Sequence, residues 1–275
     1  MISHRTMSLV ELCTVLDWAA DEGWNPGLDD AEAFRAADPD GFVIALDGET
    51  PAAAISVVNH SPGFAFLGLY LCKPEYRGRG IGLGVWRTAI ARAGGRTIGL
   101  DGVPDQQENY ARSGFTHAGA TVRYSGRVSG RVDPAVRRAE GADIETLVVL
   151  EAAASGWAKE TYMSTWFSPT DTRITYVLEA GSRIAGCVTV RRCRSGVKIG
   201  PLVSESAGVA ERLIAHAAAV FDTDIMIDVP STSASLDALC RRFGLTPCFR
   251  TARMYRGDTS RPASFLYAVA TLELG

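Results

Sequence analysis

The sequence predicts an α+β protein in which one fold occurs twice, each copy a twisted, mixed, mostly antiparallel sheet flanked by helices. Three observations support this prediction. The chain has 275 residues, about twice the length of a usual domain of ~100–150 residues. Its first half has three consecutive strand-like runs followed by alternating helical and strand-like segments, a pattern typical of a mixed sheet. Short markers of the first half recur in the same order in the second.

Composition limits the class of protein. Hydrophobic residues make up 47% of the chain and the formal net charge is −3, which excludes a disordered chain and gives no overall attraction to nucleic acid or an anionic membrane. No apolar segment follows the first five residues, and the longest apolar run, residues 64–72, is far short of the ~20 residues of a membrane span. The six cysteines form no C-x-x-C pair and do not cluster with the four histidines, which favours free thiols and no metal site. We expect a soluble cytoplasmic protein, monomeric or homodimeric.

The first half begins with two predicted helices separated by a turn. Apolar residues at helical spacing predict a helix over residues 8–21 and a short one over residues 31–36. Between them, the stretch Glu-Gly-Trp-Asn-Pro-Gly is rich in turn formers and contains Trp24 and Asn25. The remaining predicted elements are strands at 41–46, 52–59 and 63–72, a glycine-rich turn, a helix to about 93, a strand at 97–100, a helix at 106–112 and two strands ending near 126.

The second half repeats the first. The paired markers are Asp101 and Asp228, Gly114 and Gly244, and Tyr124 and Tyr255, which lie 127, 130 and 131 residues apart. Three markers in one order at nearly constant separation indicate a duplication. Residues 129–141 are charged, include Pro134 and lack periodicity, so we predict domains at 1–128 and 142–275 joined by this linker.

A glycine-rich loop, residues 76–84, joins the apolar strand to the next helix and predicts an anion site. Its glycines let successive main-chain N–H groups turn into one concavity, and the helix N-terminus adds a partial positive charge. Arg77 and Arg79 add charged donors, and together these groups suit a diphosphate. No lysine follows the loop as a P-loop requires, and neither glycine set completes G-x-G-x-x-G.

The stretch Arg-Gly-Arg-Gly-Ile-Gly of this loop resembles the R/Q-x-x-G-x-G/A motif of the GCN5-related N-acetyltransferase (GNAT) superfamily. The segment 109–115, with a tyrosine four residues before Gly-Phe, resembles that family's next conserved region. The resemblance covers about residues 3–128, and the rest looks like a degenerate second domain of a bacterial tandem type. It implies acetyl transfer from acetyl-CoA to a primary amine by direct attack. Residues 199–208 lack the motif and Glu205 would repel a diphosphate, so the second half is expected to serve as scaffold and acceptor-site wall.

The resemblance also implies roles for particular residues. Main-chain groups of the apolar strand would polarise the thioester carbonyl. Tyr110 holds the position of the proton donor to the departing CoA thiolate, for which a phenol of pKa ~10 is suited. The cofactor-binding residues implied are Leu69, Tyr70, Leu71, Arg77, Gly78, Arg79, Gly80, Ile81, Gly82 and Asn109.

The group that takes the proton of the substrate amine is less well defined. No carboxylate lies in the strand 64–72. Asp101 follows the next strand and is a candidate, but Asp228 occupies the equivalent place in the second half, which favours a turn-capping role instead. Trp24, Asn25 and Trp157 are the predicted acceptor-binding residues, for a small-molecule amine. A non-catalytic acyl-CoA-binding or regulatory module is the alternative, and assays of turnover distinguish the two.

Overall fold

The computed structural model describes residues 1–259 and 262–275, and its strands form one continuous 13-stranded sheet flanked by helices on both faces. The first half contains β1 (Ile2–Thr6), α1 (Leu9–Asp21), α2 (Asp30–Ala37), β2 (Phe42–Asp47), β3 (Thr50–Asn59), β4 (Phe64–Cys72), α3 (Ile81–Ala91), β5 (Thr97–Gly102), α4 (Gln107–Arg112) and β6 (Thr116–Gly126). The second contains β7 (Val136–Arg138), α5 (Ile144–Ser155), α6 (Glu160–Phe167), β8 (Arg173–Ala180), β9 (Arg183–Arg192), β10 (Val197–Ser204), α7 (Ala207–Phe221), β11 (Ile225–Pro230), α8 (Ala234–Arg242) and β12 (Thr246–Arg256). A last strand, β13 (Leu266–Ala268), follows.

The ten elements β1 to β6 recur in the same order as β7 to β12, which confirms the duplication and the mixed α+β sheet. Two details differ from the prediction. The segment predicted as two strands ending near residue 126 is the single strand β6, because partners on both sides hold it extended along its length. The predicted linker contains β7, which pairs with β8 as β1 pairs with β2, so the second half of the sheet begins inside it.

Helix α1 shows how local sequence fixes an element. The Ser8 hydroxyl accepts a hydrogen bond from the Glu11 N–H, and the Glu11 carboxylate accepts one from the Ser8 N–H at 2.8 Å, forming a capping box. The buried face of the helix consists of Leu12, Val15, Leu16 and Ala19. The four residues follow helical spacing, which is why the helix could be predicted.

The two halves exchange their last strands. The strand order is β1-β2-β3-β4-β5-β12-β6-β11-β10-β9-β8-β7, so β12 of the second half lies beside β5 of the first, and β6 of the first lies beside β11 of the second. β6 and β12 are antiparallel neighbours, with Thr121 opposite Thr251. Neither half can therefore complete its sheet without the other.

Two buried ion pairs join the two halves at the exchanged strands. Arg123 on β6 holds Asp228 on β11 through two hydrogen bonds of 2.7 and 2.9 Å, and both side chains are almost fully buried. Arg253 on β12 holds Asp101 on β5 at 2.6 Å in the equivalent way. Each arginine thus lies in one half and its aspartate in the other. The two aspartates are the repeat markers of the sequence.

We expect Asp228→Asn to lower the free energy of unfolding by about 3–5 kcal/mol, because it leaves the buried Arg123 charge unpaired. Burial raises the pKa of Asp228, but the Arg123 charge and hydrogen bonds outweigh it and hold the pKa below its usual value. The carboxylate therefore stabilises the fold above about pH 4 and loses this effect as the pH falls through its folded pKa. Urea unfolding at pH 7 and pH 3 measures both effects.

The matched control is Asp222→Asn, whose exposed carboxylate pairs with Arg127 at the surface. We expect this variant to lie within about 0.5 kcal/mol of the wild type. Equal losses in the two variants would show that the buried pair does not hold the halves together.

The free thiols indicate a chain that is folded without disulfide bonds. All six cysteines are free; three are buried, and Cys13 and Cys248 are exposed. Within the described residues, no helix is long and apolar enough to cross a membrane.

The two halves differ at the place where the fourth and fifth strands of each half separate, which is β4 from β5 in the first half and β10 from β11 in the second. β4 and β5 pair in parallel only over residues 64–67 and 97–100, and the strands then diverge. In the second half, β10 and β11 pair over residues 197–199 and 225–227. There β13 fills the gap, pairing with β10 at Leu202 and Val203, while the Val269 N–H donates to the Asp228 carbonyl at 3.2 Å. Among the described residues, only those of the first half keep an open gap at this place.

Candidate active site

A groove of about 490 Å³ opens where β4 and β5 diverge. The residues that line it come from the α1–α2 connection, β4, the glycine loop and the segment after β5: Glu22, Trp24, Tyr70, Leu71, Cys72, Tyr76, Arg77, Gly78, Gly80, Gly82, Leu83, Val103, Asp105 and Gln106. A narrow inner cavity of about 40 Å³ continues from it and shares Trp24, Tyr70 and Val103. The sequence-predicted loop and strand thus form one continuous site.

The loop has the conformation that its glycines allow. Gly78 and Gly80 have φ of 74° and 77°, and Gly80 immediately precedes α3. A side chain at Gly80 would meet no atom, so only the backbone conformation demands glycine there. The first N–H groups of a helix have no partner within the helix, which makes the start of α3 an anion site facing the groove.

The two loop arginines are held loosely and stay available. Arg77 donates to the Cys72 carbonyl at 2.9 Å and to the Glu22 carboxylate at 2.8 Å. Arg79 lies 3.8 Å from the Asp47 carboxylate. Both arginine side chains are 54% exposed, and exposed ion pairs contribute only about 0–1 kcal/mol. Arg77 lines the groove and can therefore exchange its partner for a phosphate at small cost, whereas Arg79 is not among the residues that line it.

β4 carries a bulge beside the inner cavity. The pairing of β3 with β4 shifts register between Ala54 and Ser56, and Leu69 adopts φ of 45°. A leucine in this region stores strain of order 1–3 kcal/mol and marks a constrained backbone. Leu69 and Tyr70 line the cavity, and Tyr70 and Leu71 line the groove. The main chain of this bulge is where the sequence places the donors for a thioester carbonyl.

Tyr110 projects from α4 into the inner cavity. Its ring stacks on Trp86 at 5.7 Å and contacts Phe115 edge-on at 6.3 Å. Burial, with a smaller effect of Tyr70, raises the pKa of Tyr110 well above its usual value. The phenol is therefore protonated at neutral pH. Its hydroxyl makes no hydrogen bond to another described residue, so it is free to donate to a ligand.

The other predicted cofactor residues border the groove or support it. Ile81, the first residue of α3, is buried. Asn109 lines a recess with Tyr70 and Tyr110, and its amide donates to Gln106 at 2.9 Å. Gly82 faces Tyr70, whose hydroxyl lies 3.0 Å from where a Cβ would stand. Glycine at position 82 thus lets the loop approach β4.

Asp101 lines the inner cavity but is fully engaged. Its carboxylate accepts from Arg253 at 2.6 and 3.2 Å, from Thr251 at 3.2 Å and from Thr121 at 3.3 Å. Burial lowers the pKa of Arg253, but the Asp101 charge outweighs it and the pKa is raised overall. These contacts favour the structural role that the sequence left open, because Arg253 and the two threonines already occupy the carboxylate oxygens.

The three predicted acceptor residues lie in different places. Trp24 lines both the groove and the inner cavity. The Asn25 amide instead donates to the Ser195 carbonyl at 2.9 Å and tethers the two halves. Trp157 is a correction: it lies in the loop after α5 and stacks on Phe64 at 4.2 Å, at the opposite end of β4, and lines neither the groove nor the inner cavity. The packing demand of Phe64 accounts for this aromatic residue.

Two parts of the cavity wall come from the second half and were missed by sequence reasoning. Phe249 and Thr251 reach it on the exchanged strand β12, and Leu272 and Glu273 reach it on the segment after β13. No local pattern in the sequence marks these residues, because only the strand exchange and the path of residues 266–275 bring them to the site.

Two family models match the chain, one in each half. The model described as "Acetyltransferase (GNAT) family" matches residues 9–115, and the model described as "Acetyltransferase (GNAT) domain" matches residues 147–268. The Holothin acyltransferase of Pseudoalteromonas sp. (strain SANK 73390) is 34% identical over 278 residues, covering 99% of this chain and 94% of that protein. The match therefore extends through both halves.

Solved structures share the whole architecture. A candidate acetyltransferase from Pyrococcus horikoshii superposes with a TM-score of 0.84 at 21% identity, covering 100% of this chain and 96% of that one. A tandem GNAT protein from the clavulanic acid biosynthesis pathway superposes with a TM-score of 0.64 at 16% identity, covering 94% and 100%. At these identities the likeness concerns the fold.

Proposed function

The chain belongs to the GNAT family of acyltransferases, which use acyl-CoA as co-substrate, and we propose that it transfers acetyl from acetyl-CoA to the primary amine of a small molecule. One observation carries the proposal. The anion-binding loop before α3, the strained bulge of β4 and the unpartnered hydroxyl of Tyr110 lie along one continuous groove. These are the groups needed to hold a diphosphate, polarise a carbonyl and protonate a thiolate.

In the proposed reaction the amine nitrogen attacks the thioester carbonyl directly. N–H groups of the β4 bulge stabilise the negative charge that develops on the carbonyl oxygen. As the C–S bond breaks, Tyr110 gives its proton to the sulfur, because its buried phenol is fully protonated and hydrogen-bonded to nothing else described. The arginines and glycines of the loop hold the diphosphate and keep the thioester in place.

The second half is proposed to bind no acyl-CoA. The gap between its strands β10 and β11 is filled by β13. Two residues separate β10 from its helix α7. The Ser206 hydroxyl already caps this helix by accepting a hydrogen bond from the Val209 N–H at 3.3 Å. Neither the loop nor a free helix N-terminus remains there. This half instead contributes Phe249, Thr251 and Glu273 to the wall of the single site.

Turnover tests this function against the non-catalytic alternative. The protein is incubated with acetyl-CoA and a panel of primary amines, with release of the CoA thiol followed by a thiol reagent and N-acetyl products by mass spectrometry. We expect multiple turnovers on at least one small amine. Tight acetyl-CoA binding without turnover on any amine would favour a regulatory acyl-CoA-binding module.

A short acyl group is expected because the inner cavity is narrow, about 40 Å³. Each methylene group that does not fit a closed pocket costs about 1–3 kcal/mol. We expect kcat/KM for acetyl-CoA to exceed that for hexanoyl-CoA at least about tenfold by the same reasoning. The control is the inhibition constant of the CoA product, measured with acetyl-CoA and with hexanoyl-CoA as the donor. The two values should be equal, since both donors present the same diphosphate to the loop. A preference for hexanoyl-CoA would contradict the assignment of the cavity to the acyl group.

A further inference from the structure

The segment of residues 266–275 crosses from the second half to the active site of the first. β13 anchors its start on β10, and the Arg191 guanidinium donates to the Ala270 carbonyl at 2.9 Å. Its far end is held by His60, whose Nε2 lies 2.9 Å from the Leu274 carbonyl oxygen, and by Lys159, whose ammonium donates to the Gly275 carbonyl. The segment is therefore fixed in place along its length.

This path brings Glu273 against the β4 bulge. A Cβ on Gly68 would overlap the main-chain oxygen of Glu273, so the two backbones touch one residue before the strained Leu69. Glu273 lines the inner cavity together with Leu69, Tyr110 and Trp24. It is thus the carboxylate that the second half delivers to the groups that carry the proposed chemistry.

The Glu273 carboxylate is buried near the charges of Arg123, Arg191 and Lys198, but it forms no ion pair with any of them among the described residues. The residue is only 3% exposed, and its Oε2 is buried without a hydrogen bond to any described residue. Among the ion pairs of the described residues, none includes Glu273. A buried carboxylate oxygen without a hydrogen bond is unfavourable, and in native proteins such a group calls for an explanation such as a functional role.

Two of the three cations that face Glu273 are already paired with aspartates. Arg123 pairs with Asp228 and Arg191 with Asp30. Lys198 donates to the Trp24 carbonyl at 2.7 Å and is in no ion pair among the described residues. Two roles for Glu273 follow from this arrangement. Its carboxylate either balances the charge of Lys198 or binds a cation that enters the cavity.

We propose that Glu273 is the catalytic carboxylate that binds the acceptor's ammonium group and takes its proton, an inference that rests on the proposed function. Asp101, the carboxylate that the sequence indicates, is occupied by Arg253 and two threonines. Strand β4 carries no carboxylate. Glu273 is thus the carboxylate of the inner cavity that is free to receive the amine.

The proton balance of the step is complete. The ammonium gives one proton to a Glu273 oxygen, and the neutral nitrogen forms the C–N bond as the C–S bond breaks. The nitrogen then carries one excess proton, which passes through solvent to the Tyr110 phenolate and restores the phenol that protonated the sulfur. Glu273 returns its proton to solvent, so the net products are the amide, the free CoA thiol and one proton.

The test compares Glu273→Gln, Glu273→Asp and Asp101→Asn with the wild type on the best acceptor of the amine panel. We expect Glu273→Gln to lower kcat/KM for the amine about 30-fold, somewhat below the usual range of 10²–10⁴ for acid–base groups because water in the groove can accept the proton. The Kd for acetyl-CoA should not change. Glu273→Asp should recover part of the lost activity, since it keeps the charge. Asp101→Asn should chiefly lower the unfolding midpoint.

Each other outcome decides against a specific statement. If Glu273→Gln lowers stability but leaves kcat/KM for the amine intact, Glu273 only balances Lys198 and the inference is wrong. A larger loss of turnover per folded molecule in Asp101→Asn than in Glu273→Gln would make Asp101 the base instead. If the wild type acetylates no amine while binding acetyl-CoA, the proposed function fails and this inference fails with it.

Discussion

We expect Gly80→Asp to bind acetyl-CoA at least about 100-fold more weakly than the wild type, because two penalties combine. Gly80 has φ of 77°, a conformation that costs a residue with a Cβ about 1–2 kcal/mol. The added carboxylate would also stand beside the diphosphate, and a like-charge contact in a binding site costs several kcal/mol. Calorimetric titration with acetyl-CoA measures the loss directly.

Gly181→Asp is the matched control. Gly181 has φ of 67°, lies in the turn between β8 and β9, and offers open space for a side chain, as Gly80 does. It therefore carries the same backbone strain and the same added charge outside the groove. We expect its affinity for acetyl-CoA to match that of the wild type. Undiminished binding by Gly80→Asp would show that the loop before α3 does not hold the diphosphate.

We expect Tyr110→Phe to lower kcat at least about 100-fold, the lower end of the usual contribution of a general acid. The substitution removes only the hydroxyl, and the remaining ring still stacks on Trp86 and contacts Phe115. The affinity for acetyl-CoA should therefore stay within about twofold of the wild-type value. The phenol gives its proton to the sulfur only as the C–S bond breaks, and does not contribute to binding of the ground state. Steady-state kinetics and calorimetry on the same variant separate the two quantities.

Tyr70→Phe identifies which phenol acts. Tyr70 lies in the same groove, with its ring edge-on to Trp86 at 5.4 Å and its hydroxyl toward Gly82 in the loop. We expect this variant to change kcat much less than Tyr110→Phe does. Wild-type kcat in Tyr110→Phe, or a larger loss in Tyr70→Phe, would remove Tyr110 from the role of acid.

The sequence predicts best those features that short segments encode. The helix α1 is set by Ser8, Glu11 and an apolar stripe within one segment, and the loop of residues 76–84 places its glycines and arginines beside one helix start. The duplication was also visible, because both copies keep the same short markers at nearly constant separation.

Features that depend on pairing between distant segments were not predictable. Nothing in β6 or β12 alone indicates that the two strands change places between the halves, because register and partner choice arise from tertiary packing. For the same reason the sequence did not assign Glu273 to the site, and it did not show that Trp157 lies outside the inner cavity. For Asp101 the sequence predicted the turn that contains it, but not its partner Arg253, which lies on a distant strand.

The strand exchange explains how a duplicated fold can keep a single active site. Each half of the sheet includes the last strand of the other half, so the two copies form one continuous sheet. With its gap filled by β13, the second copy is free to supply walls and the Glu273 carboxylate to the first. Duplication here has produced one composite site from two related halves.

The number of acetyl-CoA molecules bound per chain tests this account most directly. Calorimetric titration of the wild-type protein should give one acetyl-CoA per chain, because the loop, the open gap between β4 and β5 and the free helix start occur together only in the first half. Two equivalents per chain, or no binding at all, would contradict it.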